Sequence, residues 1–303
     1  MKEICSWKDG EWVPNSKVGT RLWDAHYFFG WAVFDAFRTY NQKFHLLSCH
    51  IDRLYRSARL SGIDIKYDKQ RLIKIVNEVK EYNKGFFPDG EEYRFMIFAS
   101  PGFFKIYDDM GTVGSSLTIN VTTTSRYAKY IAPYLKNGVT SLISSQPQIP
   151  SRFLNPKIKS CSRLHYGLAD YEATCYGKGV YPILLDEHGY VSESSGSNVG
   201  FIKDDTICLP RLYNKLGGCT ERFLVSISDM DVVYDNWDVS DLVDSDGLFF
   251  TSTFSGFLPS WNLIYRNKRY RLNRTGKLTG LLSLFCKGVG VDVVKQWEDW
   301  YGD

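Results

Sequence analysis

Between Tyr127 and Lys157 the chain changes texture, and that break constrains its fold more than any other feature. Pro133, Pro147, Pro150 and Pro156 fall there among Ser and Gln, and proline interrupts helices and interior strands alike. With 303 residues, about twice a typical ~150-residue domain, the chain is long enough for two cores. The expected layout is an N-terminal domain over 1–128, a connection over 129–140 and a C-terminal domain over 141–303, with one strand near Gly138–Ile143.

On either side of the break the periodicities are clear. Trp31–Tyr40, Tyr93–Ala99 and Leu117–Thr122 are alternating or aromatic-rich runs that predict strands. His50–Leu60 places Ile51, Leu54 and Ala58 on one helical face, with Arg53 on the side away from Ile51 and Leu54. Asp68–Tyr82 offers an Asp cap and the apolar stripe Leu72, Ile75, Val76 and Val79. After the break, Leu164, Leu168, Tyr171 and Cys175 keep helical spacing up to Gly177 and Gly179. Two hairpins follow, turning at Asp186–Gly189 and at Lys203–Asp205. A helix is expected over about Thr220–Ser228, a short buried strand over Leu248–Thr251 and helical structure from about Gly280. Mixed strands and helices in two parts make this an α+β chain.

Lys plus Arg exceed Asp plus Glu by 37 − 34 = +3, with the signs mixed, so a basic nucleic-acid footprint is not expected. The aromatic share of 16% favours strands and the walls of a cleft. Seven scattered cysteines form no C-x-x-C pair, so no metal site is expected. No run approaches the ~18 apolar residues of a membrane span, and the start of the chain lacks the apolar core of a secretion signal. A reducing, cytoplasmic setting is the expectation.

Singly, the candidate functional residues are weak signals. Lys159 stands just before a helix, Glu193 leads out of a hairpin strand, and Gly217-Gly218-Cys219-Thr220 precedes a helix. Thr251-Ser252-Thr253 ends an apolar strand. Together a glycine-rich helix start, an Arg and a hydroxyl cluster offer what one phosphate needs: backbone donors, a bidentate cation and O–H groups. Neither G-x-x-x-x-G-K-[ST] nor G-x-G-x-x-G occurs, so a nucleoside triphosphate or dinucleotide is not indicated.

The order of these segments resembles the class IV pyridoxal-phosphate aminotransferases of fold type IV, the group that holds branched-chain and D-amino-acid aminotransferases and aminodeoxychorismate lyases. Phe44–Ala58 (FHLLSCHIDRLYRSA) resembles the family's H-h-x-R-L helix, which implies Arg53 as a phosphate ligand. Lys157–Ala173 (KIKSCSRLHYGLADYEA) resembles the segment of the Schiff-base lysine, which implies Lys159. Glu193–Ile202 (ESSGSNVGFI) resembles the E-G-x-x-S-N-h-F signature. It implies Glu193 at the pyridine nitrogen, with Ser197 and Asn198 as further cofactor contacts. Leu216–Leu224 (LGGCTERFL) resembles the L-x-G-I-T-R helix start, which implies the N–H groups of Cys219 and Thr220 on the phosphate. Phe249–Pro259 (FFTSTFSGFLP) resembles the last phosphate loop, which implies Ser252 and Thr253.

What the resemblance implies is a smaller N-terminal α/β sandwich and a larger C-terminal domain with a barrel-like sheet and helices. The implied cofactor is pyridoxal 5'-phosphate, the partners an amino donor and a 2-oxo acid, and the assembly a homodimer, with neither nucleic acid nor membrane. Phe34, Arg94 and Arg163 fall where substrate contacts are expected. The sequence departs from the pattern in places: Glu221 replaces the arginine of G-I-T-R, Gly200 replaces the phenylalanine of the S-N-h-F signature, and Glu92 the branched-chain enzymes' tyrosine. Arg163 stands where those enzymes carry a tyrosine and looks more like the lyases. Three readings follow: a transaminase working through Lys159, an aminodeoxychorismate lyase releasing pyruvate and an aromatic amine, and an inactive member acting as a binding protein.

Overall fold

The computed structural model describes residues 3–104, 112–273 and 276–302, and its backbone divides into two compact units. The first comprises Met1–Thr124 and Ile158–Arg163, the second Ser125–Lys157 and Leu164–Asp303.

The first unit runs β1 (Cys5–Lys8), β2 (Glu11–Pro14), α1 (Ala25–Phe29), β3 (Val33–Tyr40), β4 (Lys43–Phe44), α2 (Leu47–Leu60), α3 (Lys69–Asn83), β5 (Tyr93–Ser100), β6 (Phe103–Phe104), β7 (Thr112–Val113) and β8 (Ser116–Thr123). Six of the strands form an antiparallel sheet in the order β2-β1-β8-β5-β3-β4. Alternation sorts β5: Tyr93, Phe95 and Ile97 are buried in one core with Ile51, Leu54 and Ala58 of α2 and Leu72, Ile75, Val76 and Val79 of α3. Arg94, Met96 and Phe98 occupy the opposite face. Asp68 caps α3 by accepting from the Arg71 amide at 2.7 Å, where the sequence places the cap. Residues 158–163 return to this unit and lie along the start of β3, the Phe34 amide donating to the Lys159 carbonyl at 2.9 Å and the Cys161 amide to the Ala32 carbonyl at 2.9 Å.

The second unit runs α4 (Ala128–Asn137), β9 (Val139–Ile143), α5 (Leu164–Cys175), β10 (Val180–Ile183), β11 (Asn198–Lys203), β12 (Thr206–Pro210), α6 (Cys219–Ile227), β13 (Asp231–Asp235), α7 (Val239–Val243), β14 (Gly247–Ser252), β15 (Gly256–Tyr265), β16 (Lys268–Arg271), α8 (Gly276–Val289) and α9 (Val293–Gly302). Its sheet has the order β10-β9-β15-β14-β11-β12-β13, with β16 beside β15. The β11–β12 hairpin turns at Asp204 and Asp205, both at positive φ (48° and 61°), the conformation a two-residue turn between twisted strands demands.

One expectation needs correction. The stretch 129–140, expected as a connection, is mostly helix α4 and lies inside the second unit. Ala128, Ile131, Ala132 and Leu135 form a buried helical stripe that outweighs the break at Pro133. Helix α5 stands where the spacing put it, and the spacing did not say which face is buried. Leu164 and Tyr171 are 76% and 72% exposed, while Ala169 and Ala173 are buried; small residues let the helix approach β10 closely. Among the described residues no helix is long and apolar enough to cross a membrane.

Candidate active site

In the first unit, helix α2 organises the chemistry. Arg53 is only 4% exposed, and its guanidinium grips Asp35 of β3 with both arms, Nε to Oδ2 at 2.8 Å and Nη2 to Oδ1 at 2.8 Å. His50, one turn earlier, holds Asp35 Oδ1 through Nδ1 at 2.8 Å. Burial alone would raise the Asp35 carboxyl; the charge and hydrogen bonds of Arg53, helped by His50, reverse that and hold it well below the usual carboxylate range. The helical spacing puts Arg53 opposite Ile51 and Leu54, yet it is buried, because β3 covers that side and brings Asp35 to it. Asp35 escaped the sequence reading. The signal was there: an acid in the middle of the apolar run WAVFDAF has to be paired.

One turn beyond Arg53, at i+4, Ser57 accepts from the Lys159 backbone amide at 3.1 Å. A single helix therefore carries the arginine and anchors the lysine's backbone. The Lys159 ammonium lies 4.8 Å from the centre of the Phe34 ring, and the Arg163 guanidinium 5.5 Å from the same ring. Phe34, Lys159 and Arg163 thus come together. Arg94 pairs in register with Arg38, while Phe34 pairs with Phe98. Arg94 is on the same face as Phe34 but four residues along the strand, about 13 Å away. Glu92 is buried and accepts from the Thr39 hydroxyl at 2.5 Å.

In the second unit, Glu193 is 5% exposed and meets four donors. Oε1 accepts from the Tyr166 hydroxyl at 2.7 Å and Gln148 Nε2 at 3.1 Å; Oε2 accepts from the Leu216 amide at 3.2 Å and Asn198 Nδ2 at 3.4 Å. Asn198 also donates to the Leu216 carbonyl at 2.8 Å, so its amide braces the loop before α6. Gly218 caps α6 without a side-chain hydrogen bond, and a Cβ there would stand 2.0 Å from Asn198 Oδ1. Only glycine allows this approach. Asn198 lies opposite Thr251 in the β11–β14 register, and Thr251 Oγ1 is buried without a partner among the described residues. Cys219 and Thr220, the first residues of α6, are buried. Ser252 Oγ sits 2.8 Å from Ser255 Oγ in the turn that follows β14, where Thr253 is half-buried. Through Asn198, the helix start and the end of β14 converge. Ser197 contributes its carbonyl to the Ser194 amide at 2.9 Å.

Glu221, at the place of the family's arginine, points inward. It is paired at 2.5 Å with Lys215, and both are essentially buried. Burial pushes the Glu221 carboxyl up, with Glu193 adding to the push, against the pull of Lys215. Lys215→Met strands this carboxylate and is expected to cost about 3–5 kcal/mol in urea unfolding. Adding Glu221→Leu should recover most of the loss. A Lys215→Met variant as stable as the parent would remove the pair from the structural account.

These arrangements, a helix that carries an arginine and anchors a lysine's backbone and a buried acid beside an uncapped helix start, coincide with a family match over most of the chain. The profile described as "Amino-transferase class IV" matches residues 32–260. The chain belongs to the class IV aminotransferases. Among curated members of the family, the branched-chain-amino-acid aminotransferase of Pseudomonas aeruginosa is 24% identical over 263 residues, covering 84% of this chain and 82% of its own. The D-alanine aminotransferase of Bacillus licheniformis is 26% identical over 255 residues, covering 83% and 85%. In fold, this family member is similar to the branched-chain aminotransferase of Thermoproteus uzoniensis solved with norvaline, with a TM-score of 0.84, 22% identity and coverage of 99% and 98%. It is also similar to the branched-chain amino acid aminotransferase of Escherichia coli, with a TM-score of 0.82, 18% identity and coverage of 92% and 92%. The fold is the two-domain α+β fold type IV of these enzymes.

Proposed function

We propose that this class IV aminotransferase binds pyridoxal 5'-phosphate through Lys159 and moves an amino group between an amino acid or amine and a 2-oxo acid. The observation that carries the reading is Glu193: an acid buried to 5% exposure and gripped by four donors is the acceptor that a protonated pyridine nitrogen requires. The partnerless buried Thr251 hydroxyl beside the α6 start fits a polar group bound there.

When bound, the cofactor supplies an electron sink for the bonds at the substrate's α-carbon. The residues of this chain do the rest. Lys159 Nζ would tether the cofactor and, when free, take and return the α-proton as general base and acid. Arg53, the N–H groups of Cys219 and Thr220, and the hydroxyls of Ser252 and Thr253 hold the phosphate. Glu193 keeps the ring nitrogen protonated; Ser197 and Asn198 shape its loop. Phe34 and Arg163 line the substrate's path near Lys159, and Arg94 stands farther along the same face of the sheet.

Arg163, which shares the Phe34 ring with Lys159, favours a second reading, elimination of pyruvate from aminodeoxychorismate with release of an aromatic amine. The two separate when loaded protein meets a single donor from a panel of L, D and achiral amines. A transaminase converts its cofactor to the pyridoxamine form and passes the amine on to pyruvate or 2-oxoglutarate. Absence of conversion with every donor would overturn the transaminase reading. A homodimer and a cytoplasmic setting belong to the same proposal, the first checked by light scattering.

A further inference from the structure

Resting on that reading, we infer that Tyr166 and Gln148 are positioning residues that hold the Glu193 carboxylate, and with it the proton on the cofactor's ring nitrogen. Both lie outside the Glu193 signature. Tyr166 is on the first turn of α5, and Gln148 lies beyond β9, buried at 4% exposure.

The geometry determines which atom donates to which. The Ile149 amide donates to Gln148 Oε1 at 2.9 Å, so the other end of that side chain, Nε2, faces Glu193 as a pure donor. Gln148 Nε2 reaches both Glu193 Oε1 at 3.1 Å and the Tyr166 oxygen at 2.8 Å. A tyrosine hydroxyl has one proton. Because Gln148 can only donate, the Tyr166 oxygen accepts from it, and its own proton goes to Glu193 Oε1 at 2.7 Å. All donation in this triangle runs from Gln148, directly and through the Tyr166 hydroxyl, to the Glu193 carboxylate. The Tyr166 bond has the short length of a charge-assisted hydrogen bond.

Two consequences follow for Glu193. Its terminal torsion, which is broad in an unrestrained side chain, is pinned in one plane. Donors converging on Oε1 also hold negative charge on the oxygen, so a proton shared with a ring nitrogen stays on the ring. That is the state in which the ring withdraws electrons.

The test uses wild-type protein, Tyr166→Phe and Gln148→Leu, each loaded with pyridoxal 5'-phosphate labelled with 15N in the ring. The 15N resonance is followed across pH, and kcat and KM are measured for a donor that the wild type accepts. The ring nitrogen of both variants should lose its proton at lower pH than in wild type. kcat should fall about 10- to 100-fold, the worth of one charge-assisted bond, with KM changed less than about threefold. Gln148→Leu keeps the test decisive if Tyr166→Phe does not fold. Wild-type protein that loads while the folded variants titrate as it does overturns the positioning role alone. Wild-type protein that takes up no labelled cofactor overturns the parent reading, and this one with it.

Discussion

Lys159→Ala is expected to lower turnover by about 10⁴-fold or more, because it removes the tether and the general base together. Borohydride treatment of the loaded parent should leave a cofactor adduct on the peptide holding Lys159, and the variant should yield none. Stability should hardly change. The side chain is half-buried and its ammonium lies 4.8 Å from the Phe34 ring, an exchange worth little compared with the backbone bonds to Phe34 and Ser57 that the substitution leaves in place. A Lys159→Ala protein that retains turnover, or an adduct found on another lysine, removes the assignment.

Arg53→Ala is expected to do two things at once. Truncation leaves Asp35 buried and stripped of its bidentate partner, which should cost about 3–5 kcal/mol of stability in urea unfolding. Cofactor affinity should fall as well. Arg53→Ala combined with Asp35→Asn separates the two: the second change removes the stranded charge and restores most of the stability, but it cannot restore the phosphate ligand. If Arg53→Ala bound the cofactor as the parent does, Arg53 would be a structural residue only.

The same ion pair sets a pH dependence. Asp35 titrates well below the ordinary carboxylate range in the folded protein and near it when unfolded, so the pair's contribution is complete above about pH 4. It is lost as the pH falls further, because the unfolded chain then binds the extra proton. His45 acts in a different window. Burial, with the charges of His50 and Arg38 nearby, pushes its imidazole down to about 4, so it withdraws stability between about pH 6.5 and 4. Acid unfolding should therefore steepen in two stages, and the Arg53→Ala/Asp35→Asn protein should lack the lower one.

Much of this was legible along the chain, and the parts that were not share a cause. Strands β3, β5 and β8 and helices α2, α3 and α6 stand close to where alternation and helical spacing put them, because those periods are properties of neighbouring residues. Helix α4 was hidden by Pro133, whose local penalty is outweighed by a buried stripe that only a packed chain possesses. On α5 the period revealed a helix but not which side is inside; Ala169 and Ala173 face the sheet because they are small, and the larger Leu164 and Tyr171 are left outside.

The site divides in the same way. Motif order alone named Arg53, Lys159, Glu193 and the α6 start, since each is written in a few consecutive residues. Asp35 against Arg53, Ser57 under Lys159, Lys215 against Glu221 and the Tyr166–Gln148 pair on Glu193 were beyond its reach. The sequence determined which side chains could do chemistry. The tertiary structure decided how each is held, because a buried charge or hydroxyl must be satisfied by whatever group the fold brings within about 3 Å, however far away it is along the chain.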